Sequence, residues 1–514
     1  MRPLPRILPT LRKPILGAAA LLTLALPAPA TWSIVVADRA TGEVCVATAT
    51  CLANFDLQRY VPMIVVGEGG AAAQSSIDIQ AVNRRRIRDG LRRGIPPHAI
   101  LNYLVNVIGN QTNRQYGIVS LSAGPVTYSG PACGVWFGGL TGTAGTVSYA
   151  IQGNVLTGLP VITAAETALL NTQGDLATRV MAAMEAARSM GGDGRCSCSQ
   201  SAPDSCGAPP ANFAQSAQVA CIILARMGDT DGVCSGAWGC VSGSYYMKLQ
   251  FSGNASTPDP VIMLQGQYDA FRQSMQGRPD HLRSTLHANA HRLPADGLTS
   301  TRVRVELNDL DGTPLTTGGA TLTGATVDGD VPNASMGAVT DHGDGSYSFD
   351  LTAGTTPGND TWQILVDDGG GPITLYPFLE LKVDPASPLH VGANRVSSSN
   401  PAPVPFVLND AASPGRPYLL LGSGSGTVPG QTFGNLTLPL NRDPFFLITR
   451  TQAGGPLLPG TQGSLDGTGR AQASFVPPAG FLAPYVGSRL DWAVLVFAPS
   501  GNSVLGPVGF EVLP

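Results

Sequence analysis

The chain changes character within the stretch Leu26-Pro-Ala-Pro-Ala-Thr-Trp-Ser-Ile-Val-Val-Ala-Asp38. From Thr31 onward it is apolar and rich in β-branched residues, and the run Gly42-Glu-Val-Cys-Val-Ala-Thr-Ala49 repeats this pattern after a short turn. Two such runs predict a pair of β-strands at the start of the folded part. Ala28 and Ala30 fit the small-residue positions of a signal-peptide cleavage site, so a cut after Ala30 would make Thr31 the first residue.

The residues before Thr31 have the pattern of a signal peptide. A basic segment precedes an apolar run over residues 15–26, and its basic residues are Arg2, Arg6, Arg12 and Lys13. The apolar run is too short to cross a bilayer as a helix, which takes about 20 residues. We therefore predict that residues 1–30 are removed. The protein would then be secreted, periplasmic or on the cell surface, with no membrane span after cleavage.

The composition is typical of an exported, β-rich protein. A length of 514 residues predicts two to four domains, and only 13% of the residues are charged, whereas 63 are Gly and 42 are Pro. Hydrophobic residues still make up 43%, which argues against disorder. The net charge of −4 gives no global field that would attract nucleic acid, so no nucleic-acid partner is predicted.

The nine cysteines all lie between Cys45 and Cys240, and six of them fall between Cys196 and Cys240. In an exported chain this density predicts a local disulfide framework. The alternative is a zinc site, but the spacing Cys196-Ser-Cys198 is not the usual one. Cys45 and Cys51 would pair if they lay on facing backbone, and an odd number leaves at least one thiol outside the framework.

The sequence predicts no metal and no cofactor. His287 and His291 are spaced i, i+4 on a predicted helix and could share a metal, but no carboxylate partner is evident and a solvated helix face is favoured. No Gly-rich phosphate loop with its Lys, no His-Glu-x-x-His and no nucleophile elbow with a His partner is present.

Residues 31–292 mix strands and helices in blocks, which predicts a layered α+β domain. The clearest helix is 176–190, capped by Asp175 and ended by Gly191 and Gly192. Helices are also predicted over 77–93, 97–108 and 261–276, with a helical tail to 292. Strands are predicted over 116–121, 126–129, 147–151, 218–227 and 244–251.

Two all-β domains are predicted to follow, over residues 299–385 and 386–514. The alternating run Arg302-Val-Arg-Val-Glu306 and the strand after Asp341-His-Gly-Asp-Gly-Ser-Tyr347 fit an immunoglobulin-like sandwich. The latter stretch resembles the turn and tyrosine of filamin-type and bacterial Ig-like modules. Residues 386–514 are rich in Gly, Pro and Leu, and this composition predicts a further β module.

Several motifs of the first domain occur in the order of a known family. They are the stretch from Thr31 to Glu43, then Ala73-Gln-Ser75, Asn113-Arg-Gln-Tyr-Gly-Ile-Val119, Tyr149-Ala-Ile-Gln-Gly-Asn-Val-Leu-Thr-Gly158 and Gly191-Gly-Asp-Gly-Arg195. Together they resemble a bacterial family known as domain of unknown function 1028, over residues of about 31–275. The resemblance implies a four-layer αββα fold and membership of the N-terminal nucleophile (Ntn) hydrolases. It implies no substrate.

Carried onto this sequence, the resemblance makes Thr31 the catalytic nucleophile, because a free N-terminal Thr supplies both a hydroxyl and a basic amine. Asn154 would donate to the oxyanion, or it is a turn residue that tolerates a left-handed backbone. Asp38 would orient the amine or hold Arg195, or it caps a turn. These three are the predicted catalytic residues.

Asp193, Arg195 and Gln74 are the predicted substrate-binding residues. Asp193 and Arg195 would bind substrate charge or form a structural pair, and the sequence favours neither. The chain departs from the family in two places. A cysteine-bearing insertion follows Arg195, and Cys51 stands where the family usually has a Lys beside the nucleophile. Arg195 could serve as the nearby cation instead.

Two hypotheses of function follow. The first is an exported Ntn-type amidohydrolase that acts on an unknown small amide or peptide-like substrate, with β modules that hold it on a surface or polymer partner. The alternative is a non-catalytic exported binding or surface protein, which keeps the Ntn-like fold as a scaffold and binds through adhesive β modules. The missing Lys and the cysteine insertion motivate the alternative.

Overall fold

Strand pairs and helices alternate up to residue 275, and strands dominate beyond it. The structure is a computed structural model that describes residues 31–327, 332–499 and 501–514. The predicted signal peptide, residues 1–30, lies outside the described residues. Within the described ranges, we find no helix with the length and apolar character that a membrane crossing requires.

The first region contains ten strands and seven α-helices. They are β1 (Thr31–Asp38), β2 (Glu43–Thr50), α1 (Leu57–Tyr60), β3 (Pro62–Val65), β4 (Gly69–Ser75), α2 (Val82–Arg92), α3 (Pro97–Asn102) with a π-helical turn (Tyr103–Ile108), β5 (Arg114–Ser120), β6 (Val126–Ser129), β7 (Phe137–Ala144), β8 (Val147–Asn154), α4 (Pro160–Asn171), α5 (Leu176–Ser189), α6 (Gly194–Ser197), β9 (Val219–Ala225), β10 (Met247–Ser252) and α7 (Pro260–Met275).

A six-stranded antiparallel sheet, in the order β10-β9-β2-β1-β8-β7, forms the centre of this region. Side chains alternate along β1, so Trp32, Ile34 and Val36 share one face. They pack in one core with apolar residues of α4, α5 and α7, such as Val180 and Leu264. The helices therefore cover this face of the sheet.

The opposite face of the six-stranded sheet packs against a second sheet. That sheet has the order β3-β4-β5-β6, and the core between the two sheets includes Val35 and Val46 from the first and Ala72 and Val119 from the second. A further core joins Ile118 and other residues on the outer face of the second sheet to α2 and α3. Both faces of β1 are buried, which explains its nearly continuous apolar sequence.

Capping explains where the clearest helix begins. The side chain of Asp175 accepts a hydrogen bond of 2.8 Å from the backbone N–H of Thr178, as predicted for the start of α5. The predicted helical tail to residue 292 is wrong, because residues 285–288 and 292–294 are strands. His287 pairs with Arg304 in a sheet, so His287 and His291 do not share a helix face.

Residues 285–384 form two sheets around one core. Their strands are β11 (Thr285–Ala288), β12 (Arg292–Pro294), β13 (Ser300–Glu306), β14 (Thr321–Thr326), β15 (Ala334–Met336), β16 (Thr340–Asp341), β17 (Ser346–Ala353), β18 (Gly358–Asp367), β19 (Pro372–Thr374) and β20 (Leu379–Asp384). One sheet has the order β11-β13-β17-β15 with β16 beside β17, and the other β12-β20-β18-β14 with β19 beside β18. Trp362 and Phe349 lie in the core between them.

Residues 389–499 and 501–513 form a second β-rich unit, which differs from the predicted all-β domain because it contains a helix. Its elements are β21 (Leu389–Val391), β22 (Arg395–Ser397), β23 (Val404–Asn409), β24 (Pro417–Ser423), β25 (Gln431–Phe433), β26 (Leu436–Leu438), α8 (Pro444–Thr451), β27 (Gln462–Ser464), β28 (Arg470–Phe475), a 3₁₀ turn (Ala483–Tyr485), β29 (Arg489–Val496) and β30 (Ser503–Leu513). Trp492 is packed edge-on against Phe445 at 5.5 Å and lies 4.9 Å from the ring of Phe406, which marks the centre of this core.

Three disulfides join cysteines of the first region. They are Cys51–Cys196, Cys198–Cys206 and Cys234–Cys240, and Cys45, Cys133 and Cys221 are buried free thiols. The prediction of disulfides is confirmed, but only two of these bonds are local to residues 196–240, since Cys196 pairs with Cys51 and Cys221 is free. The pairing considered for Cys45 and Cys51 does not form. Cys45 lies in the core beneath the helices, and six residues of extended strand separate it from Cys51 by about 20 Å.

Candidate functional site

Two of the predicted catalytic residues meet at one end of the six-stranded sheet. Thr31 is the first residue of β1, and it lies opposite Thr50 of β2 on one side and Asn154 of β8 on the other. All three side chains are buried, with Thr31 2% exposed. The antiparallel register thus brings Thr31 and Asn154 together, as the sequence motifs require.

Gln74 connects Thr31 to the second sheet. Its Nε2 donates to the carbonyl oxygen of Thr31 and to Oε1 of Gln115, both at 2.7 Å. Gln115 in turn donates to the carbonyl oxygen of Gly153 at 2.8 Å, one residue before Asn154. These two amides therefore fix the strand ends that carry Thr31 and Asn154 against the neighbouring sheet.

Ser33 and Thr48 extend this polar layer between the sheets, and both are fully buried. The hydroxyl of Ser33 lies 2.5 Å from Oε1 of Gln74 and 2.9 Å from the hydroxyl of Thr48. Neither residue is among the site residues predicted from the sequence. The signal was present, because Thr31 and Ser33 are polar at alternate positions of an otherwise apolar strand, which places them on the same face.

The backbone is strained beside two of the site residues. Ser75 follows Gln74 with φ of 71°, and Val155 follows Asn154 with φ of 55°. A left-handed conformation is unfavourable for a β-branched residue such as Val, and such outliers concentrate at functional sites. Nδ2 of Asn154 lies 3.1 Å from the carbonyl oxygen of Cys133 and 3.4 Å from the hydroxyl of Ser75.

Asp193 and Arg195 form a buried ion pair next to this site. Nη2 of Arg195 lies 2.8 Å from Oδ2 of Asp193, and Nε lies 3.1 Å from Oδ1. Asp193 also caps α6, since its Oδ1 accepts from the backbone N–H of Arg195 at 3.1 Å. Oδ2 accepts from the backbone N–H of Cys51 at 2.8 Å, which links α6 to the end of β2.

Two segments of the chain match known protein families, and one of them carries the site. Residues 31–203 match the family of unknown function DUF1028. Residues 280–374 match the family described as invasin, domain 3. The resemblance inferred from the sequence motifs and the expected Ig-like module are both confirmed, and the chain combines a DUF1028 segment with invasin-type β structure.

Solved structures give weaker likenesses. A protein of Silicibacter pomeroyi described by the same DUF1028 model is 17% identical, and the match covers 47% of this chain and 88% of that one with a TM-score of 0.35. The adhesin InvE of Yersinia pseudotuberculosis is 19% identical over 44% of this chain and 58% of its own, with a TM-score of 0.17. Invasin, described as a bacterial integrin-binding protein, is 11% identical over 94% and 60%, with a TM-score of 0.18. At these scores no argument rests on the likenesses.

The DUF1028 segment has a disulfide at the position where a Lys was expected. Cys51 pairs with Cys196, which directly follows Arg195, so the bond joins the end of β2 to α6. The bond and the contact between Cys51 and Asp193 hold the same two elements together. Cys51 and the first cysteine of the insertion are therefore joined by one bond, whereas Cys198–Cys206 is a separate bond within the insertion.

Asp38 is not brought to the site. It lies at the other end of β1, opposite Glu43, and seven residues of extended strand separate it from Thr31 by about 23 Å. Its Oδ1 accepts a hydrogen bond of 2.9 Å from the backbone N–H of Ala40. The geometry therefore agrees with the turn-capping alternative for Asp38 and separates it from the amine of Thr31 and from Arg195.

Gln152 carries a buried amide that lies in the polar layer of the DUF1028 segment. Neither Nε2 nor Oε1 has a hydrogen-bond partner among the described residues, and the side chain is completely buried. A Cβ added at Gly117 would lie 2.0 Å from this Oε1, so a glycine opposite makes room for the amide. Burial of an amide without hydrogen bonds costs free energy, so Gln152 lowers the free energy of unfolding of the protein.

The site contains no set of ligands for a metal. Among residues 31–327, 332–499 and 501–514, no group of three or more His, Cys, Asp or Glu side chains is arranged to hold a metal ion. Burial raises the pKa of the Cys133 thiol beside Asn154. At neutral pH that thiol is therefore protonated and acts as a hydrogen-bond donor, to the carbonyl oxygen of Arg114 at 3.3 Å.

Proposed function

We propose that this chain is an exported surface-binding protein, in which the β-rich region engages a partner and residues 31–292 form the scaffold. The observation that carries the proposal is the match of residues 280–374 to invasin, domain 3, in a region that folds as two packed sheets. The partner would be a protein or polymer at a cell surface. Three disulfides support an oxidising, extracellular or surface location.

Ion pairs between the scaffold and the β units support a preorganised binder. Arg272 of α7 pairs with Asp311 at 3.0 Å, and Arg278, after α7, pairs with Asp368 at 2.7 Å. The two β units are joined in the same way, since Arg470 lies 2.6 Å from Asp296. A binder whose modules are already held in place loses less conformational entropy when it binds.

An exposed hairpin gives this proposal a testable contact surface. Val428 and Phe433, beside and within β25, are 81% and 55% exposed, so this hairpin presents two apolar side chains to solvent. We expect fluorescently labelled full-length protein to be retained on cells or on an extracellular polymer matrix. Phe433→Ser should lower this retention several-fold, whereas Leu298→Ser, equally apolar and 69% exposed elsewhere, should not. Absence of retention of the wild type refutes the proposal.

A second candidate function is favoured by the convergence of Thr31, Asn154 and Gln74. We propose that the packing of helices, two sheets and helices is the four-layer αββα fold of Ntn hydrolases. If export frees Thr31, its hydroxyl attacks the carbonyl carbon of an amide and its α-amine, with a reference pKa of about 7.7–8.0, accepts the proton. Asn154 donates to the oxyanion, the protonated leaving amine departs, and water hydrolyses the acyl-enzyme.

The second candidate is tested at the N-terminus of the exported protein. Intact mass and N-terminal sequencing should show a chain that begins at Thr31, and an electrophilic amide-like probe should label the wild type. Thr31→Ser should retain labelling because it keeps a hydroxyl and an amine, and Thr31→Ala should abolish it. A different N-terminus, or equal labelling of Thr31→Ala, excludes this mechanism and leaves the binding function untouched.

A further inference from the structure

A cleft of about 500 Å³ lies between the first region and the Ig-like unit of residues 285–384. One wall comes from the loop after β9, from Tyr245 and Tyr246, and from Phe271 of α7, and the other from β18, β19 and His281. The walls touch at Gly228, where an added Cβ would lie 2.7 Å from the hydroxyl of Thr374. The volume is within the range of small-molecule sites, about 300–1,000 Å³.

Two residues of the cleft carry a buried polar atom without a partner in the described ranges. They are Nε2 of His281, a residue that is 2% exposed, and the hydroxyl of Tyr246. Nδ1 of His281 contacts the carbonyl oxygen of Thr374, which can only accept, so Nδ1 carries the proton. Burial, and secondarily Arg226, lower the pKa of His281 to about 4. The ring is neutral at pH 7, and Nε2 is a hydrogen-bond acceptor.

The charges around the cleft disfavour an anionic ligand. Arg226 is already paired with Glu43 at 2.8 Å and with Asp280 at 3.0 Å. The other lining cation, Arg278, forms a two-point pair with the carboxylate of Asp368. An anionic ligand would therefore compete with existing ion pairs.

A carboxylate and aromatic rings complete the lining. Asp229 receives the backbone N–H groups of Arg226 and Tyr246 on Oδ2, both at 2.8 Å, and it adds a second acceptor to the one on His281. Tyr246 and Phe271 meet edge to face at 5.2 Å, so apolar ring surface lies next to the acceptors. Acceptors beside aromatic rings suit a ligand that carries several hydroxyl donors on an apolar ring.

We propose that this cleft binds a neutral carbohydrate of one or two rings. Its hydroxyls donate to Nε2 of His281 and to Asp229 and exchange a hydrogen bond with Tyr246. The C–H face of a sugar ring lies against the ring of Phe271, because the guanidinium of Arg226 lies over the ring of Tyr246, 3.6 Å from its centroid. The proposal depends neither on Thr31 nor on the exposed hairpin, so it stands or falls separately from both proposed functions. Ordered water is the competing occupant.

The test uses full-length exported protein and isothermal titration with four neutral disaccharides: cellobiose, maltose, lactose and N,N′-diacetylchitobiose. We expect at least one to bind with a Kd below about 1 mM. Hydrogen–deuterium exchange should slow in peptides that cover residues 226–230 and 363–374 when that sugar is present. Binding of none of the four, or slowing confined to other peptides, overturns the proposal in favour of water.

Tyr246→Phe is the decisive variant, because it removes a hydroxyl that makes no hydrogen bond within the described structure and should leave folding intact. We expect it to weaken sugar binding about five- to tenfold. Tyr418→Phe is the matched control, since its hydroxyl donates to the carbonyl oxygen of Gly460 far from the cleft, and it should bind as the wild type does.

Asp229→Asn is a second test of the site if Tyr246→Phe folds poorly. It replaces one carboxylate oxygen, an acceptor, with an amide NH2 group, a donor, so we expect it to weaken sugar binding as well. The site is refuted if the folded Tyr246→Phe protein binds the sugar as tightly as the wild type does. If Tyr246→Phe fails to fold, the same result with Asp229→Asn refutes it. So does tighter binding of a glucuronic acid disaccharide than of its neutral counterpart.

Discussion

Removal of the Cys51–Cys196 disulfide should reduce stability more than removal of either of the other two. The bond closes a loop with a sequence separation of 145 residues, for which the chain-entropy relation gives about 5 kcal/mol. The Cys198–Cys206 bond spans 8 residues, for which the same relation gives about 2.5 kcal/mol. We therefore expect the double variant Cys51→Ser/Cys196→Ser to lose about 2.5 kcal/mol more than Cys198→Ser/Cys206→Ser.

The assay is hydrogen–deuterium exchange of β1 and β2 peptides across a urea series, which isolates the unfolding of the DUF1028 segment from that of the β units. The Cys198→Ser/Cys206→Ser protein is the matched control, because it loses a bond in the same segment. Equal losses in the two proteins would show that closure of the long loop does not stabilise the site. A larger loss in the control would contradict the reasoning directly.

Three further predictions concern buried polar groups. Gln152→Met keeps the shape but removes the unpaired amide, so the free energy of unfolding in urea should rise by about 1–3 kcal/mol. Arg226→Met leaves Glu43 and Asp280 buried without their cation and should cost about 3–5 kcal/mol in the same assay, and a loss below 1 kcal/mol would contradict it. Burial raises the pKa of Asp229 from 3.8 to about 6. The folded state then binds this proton more tightly than the unfolded state, so wild-type stability falls as pH rises from about 4 to 6. Asp229→Asn should avoid that loss and be up to about 3 kcal/mol more stable at pH 8, but not at pH 4, by thermal unfolding across pH.

The local elements of the first region were predictable because their signals act over a few residues. The start of α5 follows from Asp175 reaching the N–H of Thr178, and the strand at 126–129 has the predicted bounds. The meeting of Thr31 and Asn154 also followed from sequence, but through family motifs. No local pattern states that β8 rather than β9 lies beside β1.

What the sequence did not predict depends on distant partners. Residues 285–288 have helix-compatible spacing, yet pairing with β13 makes them a strand, because tertiary contacts outweigh weak local preference. The partner of Cys51 lies 145 residues away, and cysteine spacing alone cannot select it. The separation of Asp38 from Thr31 was predictable, because the two residues lie at opposite ends of one predicted strand.

The two proposed functions differ in whether they require the polar layer between the two sheets. A scaffold alone gains nothing from Gln152 without a partner or from Val155 at φ of 55°, since apolar residues and a relaxed turn would pack as well at lower cost. A catalytic site accounts for this loss of stability, because Thr31 and Asn154 must be held at fixed positions beside polar groups. If Gln152→Met stabilises the protein and leaves electrophile labelling of Thr31 unchanged, the amide serves neither function. If it stabilises the protein and abolishes labelling, Gln152 lowers the stability of the wild type but is required at the site. That result would be the strongest support for the hydrolase proposal.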